Sequence, residues 1–220
     1  MALHREDVIE AALDLLDEVG LDRLTTRALT TRLGVAPGAL YWHVRSKAEL
    51  LSAIADRIMR EAYSSSDVAP GAAPDVASGA ADPASWRTAD WAEQTAAFAH
   101  RTRRAMLARR DGARVVAGHL PVTVAALDAS EQGLALLRGI GLPLAQAAYF
   151  GHTVASYVTG FVLQEQAAPN PPAEFPDIEP ERYPNMAAWA AEKPTAKDQA
   201  FTAGLSLIIQ GLRAELAEQA

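Results

Sequence analysis

Residues 25–47 read TTRALTTRLGVAPGALYWHVRSK. Thr25 is a good N-cap, because its hydroxyl can accept one of the free N–H groups that open a helix. Leu29 and Leu33 fall four apart and share a buried face. Gly34, which tolerates a left-handed backbone, ends that helix. Val35 plugs the corner, and Pro37 suits the first turn of a second helix, where an N–H has no partner anyway. The second helix carries Gly38, Ala39, Leu40, Tyr41, Trp42, His43 and Val44. Helix, glycine turn and short helix make the helix-turn-helix pattern, whose second helix enters the major groove of DNA.

Charge agrees with that reading. Between Asp22 and Lys47 the cations Arg23, Arg27, Arg32, Arg45 and Lys47 meet a single anion, Asp22, whereas the 220-residue chain carries a formal net charge of −7. A basic patch on an acidic protein is what a phosphate-binding surface requires. The acidic total argues against nonspecific coating of nucleic acid and confines DNA contact to one end. An ordinary helical hairpin with a solvated rim is the plainer alternative, but turn chemistry, spacing and charge agree on the first.

Half of the residues are apolar and 21% are charged, the balance of a globular chain long enough to bury a core. There is no cysteine, which excludes disulfides and thiolate metal sites and fits a reducing cytoplasm, the expected location. No cationic segment precedes an apolar run, and no stretch reaches the ~18 apolar residues of a membrane span.

Outward from the motif, Arg5 to Gly20 is an amphipathic helix with Val8, Ile9, Ala12, Leu13, Leu16 and Val19 in one stripe. Ser46-Lys47-Ala48-Glu49 is a capping box opening a longer helix to about Tyr63. From Ser64 to Ser85, 17 of 22 residues are Ala, Gly, Pro or Ser. This segment is expected to be a flexible insertion without chemistry. Trp86 to Arg110 reads as helix, and RRDGARVVAGHLP (109–121) as short irregular pieces. Helices follow from Val122 to Arg138 and from Pro143 to about Gln166. A proline-rich loop, a short helix around Met186–Glu192 and a last helix from Asp198 to about Glu218 complete the chain. No run alternates as a strand would, so the fold expected is all-α. Its domains are a DNA-binding head at 1–47, a connecting helix at 48–63, a flexible loop at 64–85 and a helical ligand-binding and dimerisation body at 86–220.

LLDEVGLDRLTTRALTTRLGVAPGALYWHVRSKAELLSAI (15–54) resembles the DNA-binding domain of the TetR (tetracycline repressor) family. RRDGARV (109–115), GHLP (118–121), GHTVASYVTGFVLQEQ (151–166) and GLSLIIQGL (204–212) are similar to C-terminal stretches of that family. The resemblance spans most of the chain apart from two loops. It implies operator phosphate contacts from Thr26, Arg27, Tyr41 and Lys47, with His43 reaching a phosphate or a base edge. Tyr41 can instead pack against its neighbours, and Trp42 is expected to face the core. Pro37, Gly38 and Ala39 start the recognition helix, and none of these side chains can make a bidentate bond to a base. Ala39 can touch a thymine methyl. Direct readout then rests on Arg27, His43 and that methyl contact, with DNA shape adding the rest. The operator should differ from the tetracycline operator.

A two-fold dimer reads two half-sites about 34 Å apart or a multiple of that. The helices from Leu144 to Gln166 and Ala200 to Leu216 are the expected homodimer interface, because small residues (Gly151, Ala155, Gly160; Ala203, Gly204, Gly211) on broad apolar faces permit close approach. The resemblance places an effector pocket among Tyr63, Phe98, Thr102, Val116, His119, Leu120, Pro121, Gln132 and Gln164. Family members that bind tetracycline hold it as a magnesium chelate through a histidine, aided by a glutamate of the partner subunit. Those positions here are Val116 and Gln164. Valine cannot ligate Mg²⁺, so an apolar or aromatic effector without metal or cofactor is expected.

His100, His119 and His152 show no metal-ligand spacing, and no catalytic constellation is present. The expected function is a sequence-specific transcriptional repressor, released from a palindromic operator by a small effector, and not an enzyme. A ligand-binding module without DNA function and a transcriptional activator of the same fold are the alternatives.

Overall fold

The computed structural model describes residues 3–64, 90–119, 123–167, 178–192 and 196–218. Among the described residues all regular structure is helical. The helices are α1 (Arg5–Val19), α2 (Thr26–Leu33), α3 (Pro37–Tyr41), α4 (Lys47–Ser64), α5 (Trp91–Leu107), α6 (Gly112–Gly118), α7 (Val124–Gly139), α8 (Leu144–Ala167), α9 (Pro184–Ala191) and α10 (Lys197–Glu218). None of them is long and apolar enough to cross a membrane. Two compact units divide the chain, residues 1–166 and 167–220. Most of the segment 64–85, most of the proline-rich loop, and the pocket residues Leu120 and Pro121 lie outside the described residues.

In the first unit α1 buries Val8, Ile9, Ala12, Leu13, Leu15 and Leu16. Leu15 joins the expected stripe, while Val19 at the helix end is only half-buried. The His4 backbone N–H donates to Asp7 Oδ2 at 2.8 Å, closing the first turn. The centre of the unit is α4, which contacts α1 on one side and α5, α6 and α7 further along. Leu50, Ile54, Ala55 and Ile58 are all but fully buried on it, a row spaced to face two layers of neighbours. One continuous helix therefore runs from the N-terminal three helices into the rest of the unit.

Its start differs slightly from the expected capping box. Ser46 Oγ accepts from Glu49 N at 3.0 Å, but the Glu49 carboxylate accepts from Arg45 N at 2.8 Å, one residue earlier than the usual reciprocal bond.

The stretch 109–121 was expected to be irregular, yet residues 112–118 form a regular helix. Asp111 adopts a left-handed backbone, φ 57°, which reverses the chain after α5. Gly112 then comes so close to the Met106 carbonyl that an added Cβ would overlap it. Glycine here is a packing requirement, not a breaker, and Ala113, Val115 and Val116 are buried behind it.

Thr123, absent from the sequence reading as a cap, opens α7: its Oγ1 accepts from Ala126 N at 3.3 Å and donates to Asp56 Oδ1 of α4 at 2.7 Å. The other Asp56 oxygen accepts from Arg60 at 2.8 Å, so this buried carboxylate is fully engaged. In the second unit α9 buries none of its residues. Phe201, Leu205, Ile209 and Leu212 form the buried row of α10.

Candidate nucleic-acid interface and effector site

Helix α2 forms because Thr25 caps it, accepting from Ala28 N at 3.1 Å, a contribution of about 1 kcal/mol. Gly34 ends it with φ 66° and ψ 29°. The left-handed residue lets Val35 N reach back to Thr30 O at 3.1 Å, the double closure of a Schellman turn. Pro37 then starts α3, which closes after only five residues. Trp42 and His43 lie in the turn beyond α3, not within a helix running to Val44 as expected. His43 N and Val44 N both bond Leu40 O at 3.0 Å.

Leu40 and Val44, each 1% exposed, anchor this segment to the core. Trp42 sits two residues from both and is thrown to the opposite side, where it is 90% exposed. The expectation that Trp42 faces the core is therefore overturned: i and i+4 set the inward direction, and the residue midway points out. Pro37, Gly38, Tyr41, Arg27 and Lys47 are exposed, while Thr26, Ala39 and His43 are half-buried. Replacing Trp42 with alanine is expected to leave thermal stability within about 0.5 kcal/mol while weakening operator binding. A large loss of stability in thermal unfolding would instead give Trp42 a structural role.

The local cations divide by partner. Arg32 turns back onto α1, its Nη1 2.8 Å from both Glu18 oxygens, with Asp14 at 3.5 Å. Its guanidinium pKa is raised, chiefly by the Glu18 hydrogen bond. Among the described residues Arg23, Arg27, Arg45 and Lys47 form no salt bridge. Arg32 is scaffold, and these four supply the positive surface.

The corner between α5 and α6 grips the three-helix head. Arg109 reaches Asp17 at 3.0 Å, and Arg110 N donates to the other Asp17 oxygen at 2.8 Å. Leu21 N donates to Asp111 Oδ2 at 2.8 Å, and Arg114 spans Asp111 and Asp22. The hydrogen bond from Arg114 holds the Asp22 carboxyl below its usual range. The contacts that reach the head carried no sequence signal, because those pairs lie roughly ninety positions apart.

Behind that corner lie the candidate effector residues. Tyr63 of α4 and Phe98 of α5 stack in parallel, ring centroids 6.2 Å apart, and the Arg101 guanidinium stands 5.9 Å from the Phe98 centroid. Burial, then the charge of Asp56, raises the Tyr63 phenol pKa. Thr102 and Val116 are each 7% exposed. His119 Nδ1 lies 3.3 Å from Val115 O. Gln132 and Gln164 are exposed on α7 and α8, so within the chain they do not join the buried group. His152 is exposed as well. Gln94 stands one turn before Phe98 on α5.

Comparison with known proteins bears on both sites. Residues 8–54 match the family model described as "Bacterial regulatory proteins, tetR family", and residues 83–216 match "Tetracyclin repressor-like, C-terminal domain". The chain is 36% identical over 213 residues to the class A tetracycline repressor protein from transposon 1721 of Escherichia coli, covering 96% of this chain and 90% of that protein. It is similar to ActR of Streptomyces coelicolor, with a TM-score of 0.80 and 29% identity over the full length of both chains in the apo form. The same protein in complex with actinorhodin gives 0.78 and 28%, again over both whole chains. A glutamine-to-alanine variant of TetR from Acinetobacter baumannii AYE, in complex with minocycline, gives 0.71 and 30%, covering 97% of this chain and 98% of that one. A helix-turn-helix flanked by cations without a salt bridge among the described residues, a half-buried stacked aromatic pair in the body and these likenesses along nearly the whole chain have one reading: the protein belongs to the TetR family of transcriptional regulators.

Proposed function

We propose that two copies of this chain bind a palindromic operator and leave it when a small lipophilic or aromatic effector occupies the body without a metal. As a member of its family the chain is a DNA-binding, ligand-responsive transcriptional regulator and not an enzyme. The single observation that carries the reading is the surface made by α3 and the turn after it: Tyr41 and Trp42 project from it, flanked by cations with no salt-bridge partner among the described residues. Phosphates are taken by Thr26, Arg27, Tyr41 and Lys47, and a base edge by His43, with Ala39 against a thymine methyl. Trp42 joins this surface.

Residues 1–47 act as the head, α4 as the connection, and residues 86–220 as the body, in the cytoplasm. Dimerisation uses α8 and α10. Exposed Tyr149 on α8 and Leu207 on α10, 72% and 71% accessible, support a covering partner. ActR and the Acinetobacter TetR variant are known with actinorhodin and minocycline, and Tyr63 and Phe98 suit a ring system here. A magnesium chelate does not fit. Val116 offers no donor atom where one is required, and Mg²⁺ wants hard oxygen ligands. Effector binding changes operator affinity only by its differential affinity for the two head spacings.

Selection from a randomised duplex pool, followed by gel shift at several salt concentrations, tests this. A palindromic consensus and steep salt dependence are expected, and binding without sequence preference would defeat it. Lys47→Ala is expected to weaken all duplexes alike and to lower the salt slope by about one. Changes at Ala39 should alter preference instead. A Lys47→Ala protein with an unchanged salt slope would remove Lys47 from the phosphate contacts.

A further inference from the structure

Thr102 is 7% exposed, and its Oγ1 has no hydrogen-bond partner among the described residues. Threonines within helices commonly return the hydroxyl to the carbonyl four residues back. Thr95 does so to Trp91 O at 2.8 Å, Thr153 to Tyr149 O at 2.9 Å and Thr202 to Asp198 O at 2.9 Å. Thr102 does not. The Nε2 of Gln94 is likewise buried and without a partner, and an amide NH₂ is a donor that needs an acceptor. Buried polar atoms of native proteins are nearly always paired with protein, water or ligand, so two such atoms on one helix without a partner among the described residues mark places where a ligand can bond.

Their placement says which kind. Gln94, Phe98 and Thr102 stand at i, i+4 and i+8 of α5, one row along the helix. The middle residue stacks on Tyr63, with the ring planes 5° apart. Gln94 and Thr102 therefore flank the ring pair one turn to either side, their Cα atoms on the order of 12 Å apart along the axis.

Building on the effector-responsive reading, we propose that Gln94 and Thr102 are effector-binding residues. Their ligand is a fused, polyoxygenated aromatic of the quinone type, held without metal. Gln94 donates to a carbonyl or phenolic oxygen at one end, the Thr102 hydroxyl bonds an oxygen towards the other, and the rings lie against Tyr63 and Phe98. Apolar lining supplies affinity, and the two polar groups select for oxygen in register.

The test is fluorescence titration of the full-length dimer with 1,8-dihydroxyanthraquinone and with anthracene, which has the same rings and no oxygen. Wild type, Gln94→Leu and Thr102→Val are compared. Each substitution is expected to weaken the quinone about tenfold and to leave anthracene affinity unchanged. Without probe, Thr102→Val is expected to melt higher than wild type, because an unpaired hydroxyl has given way to a methyl. No quinone binding by wild type, or equal quinone affinity in all three proteins, overturns the proposal. So does a lower melting temperature for Thr102→Val, which would reveal a partner for the hydroxyl within the fold. Operator selection is read separately: its failure would remove the repressor reading and leave the titration to decide this one.

Discussion

Replacing Gly112 with alanine is expected to destabilise the folded protein by about 3 kcal/mol. The added Cβ would overlap the Met106 carbonyl oxygen and stand 3.1 Å from the Met106 carbonyl carbon. A side-chain tip can swing aside, but backbone inside a closed corner cannot. Gln166 locks that corner: its Nε2 donates to Met106 O at 3.1 Å and Arg109 O at 2.8 Å, and its Oε1 accepts from Ala113 N at 3.0 Å. Moving Met106 to admit a methyl breaks at least one of these bonds and loosens the contacts of Arg109, Arg110 and Asp111 with Asp17, Glu18 and Leu21. Urea unfolding followed by far-ultraviolet circular dichroism, at fixed protein concentration because the proposed dimerisation makes the midpoint depend on it, measures the loss. Gly118→Ala is the control: nothing lies within 4 Å of its added Cβ, so that variant should match or exceed wild type. A Gly112→Ala midpoint within error of wild type would show that the corner opens freely.

Glu165→Ala is expected to cost about 3 kcal/mol, because it removes the carboxylate bonded twice to a buried guanidinium. Arg103 on α5 meets Glu165 on α8 through two parallel bonds of 2.7 and 2.8 Å. Each side chain is only 8% exposed, and the guanidinium lies 5.8 Å from the Phe161 ring centroid. Solvent cannot screen the survivor when its partner is cut away. The pair itself contributes little net stability, since desolvation offsets most of the attraction. The double variant Arg103→Met, Glu165→Leu should therefore recover most of the loss and can equal wild type. The same denaturation series reads all three proteins. If the double variant is as damaged as Glu165→Ala, the site depends on the ion pair's geometry and not on charge balance.

Much of the fold was legible because its signals are local. Thr25, Gly34 and Pro37 act on neighbours within four residues, and the row of apolar residues on α1 needs only its own spacing. The all-α class followed from the same periodicities. Three readings failed where local rules were ambiguous. The stretch 109–121 around Gly112 looked irregular, since a glycine required for close approach and one required for a turn are the same letter. Trp42 looked like core, since a large aromatic is usually buried, until Leu40 and Val44 fixed which way the segment turned. The segment through His43 and Val44 looked helical, but α3 stops at Tyr41.

The candidate sites divide the same way. Exposed Pro37, Gly38 and Tyr41 follow from one short helix and its turn. Nothing local announces that Arg32 is consumed by Glu18 and Asp14, or that Asp111 clamps Leu21. Pairing across ninety residues depends on how helices pack, and no spacing along the chain encodes it. Helix positions, the turn and the basic segment were thus determined by the chain's own order of residues, because hydrogen bonds of helices and caps close within a few positions. Only the tertiary structure decided which cations remain available, which aromatic faces solvent and which buried hydroxyl lacks a partner, because charge neutralisation and burial are properties of neighbours brought together by folding.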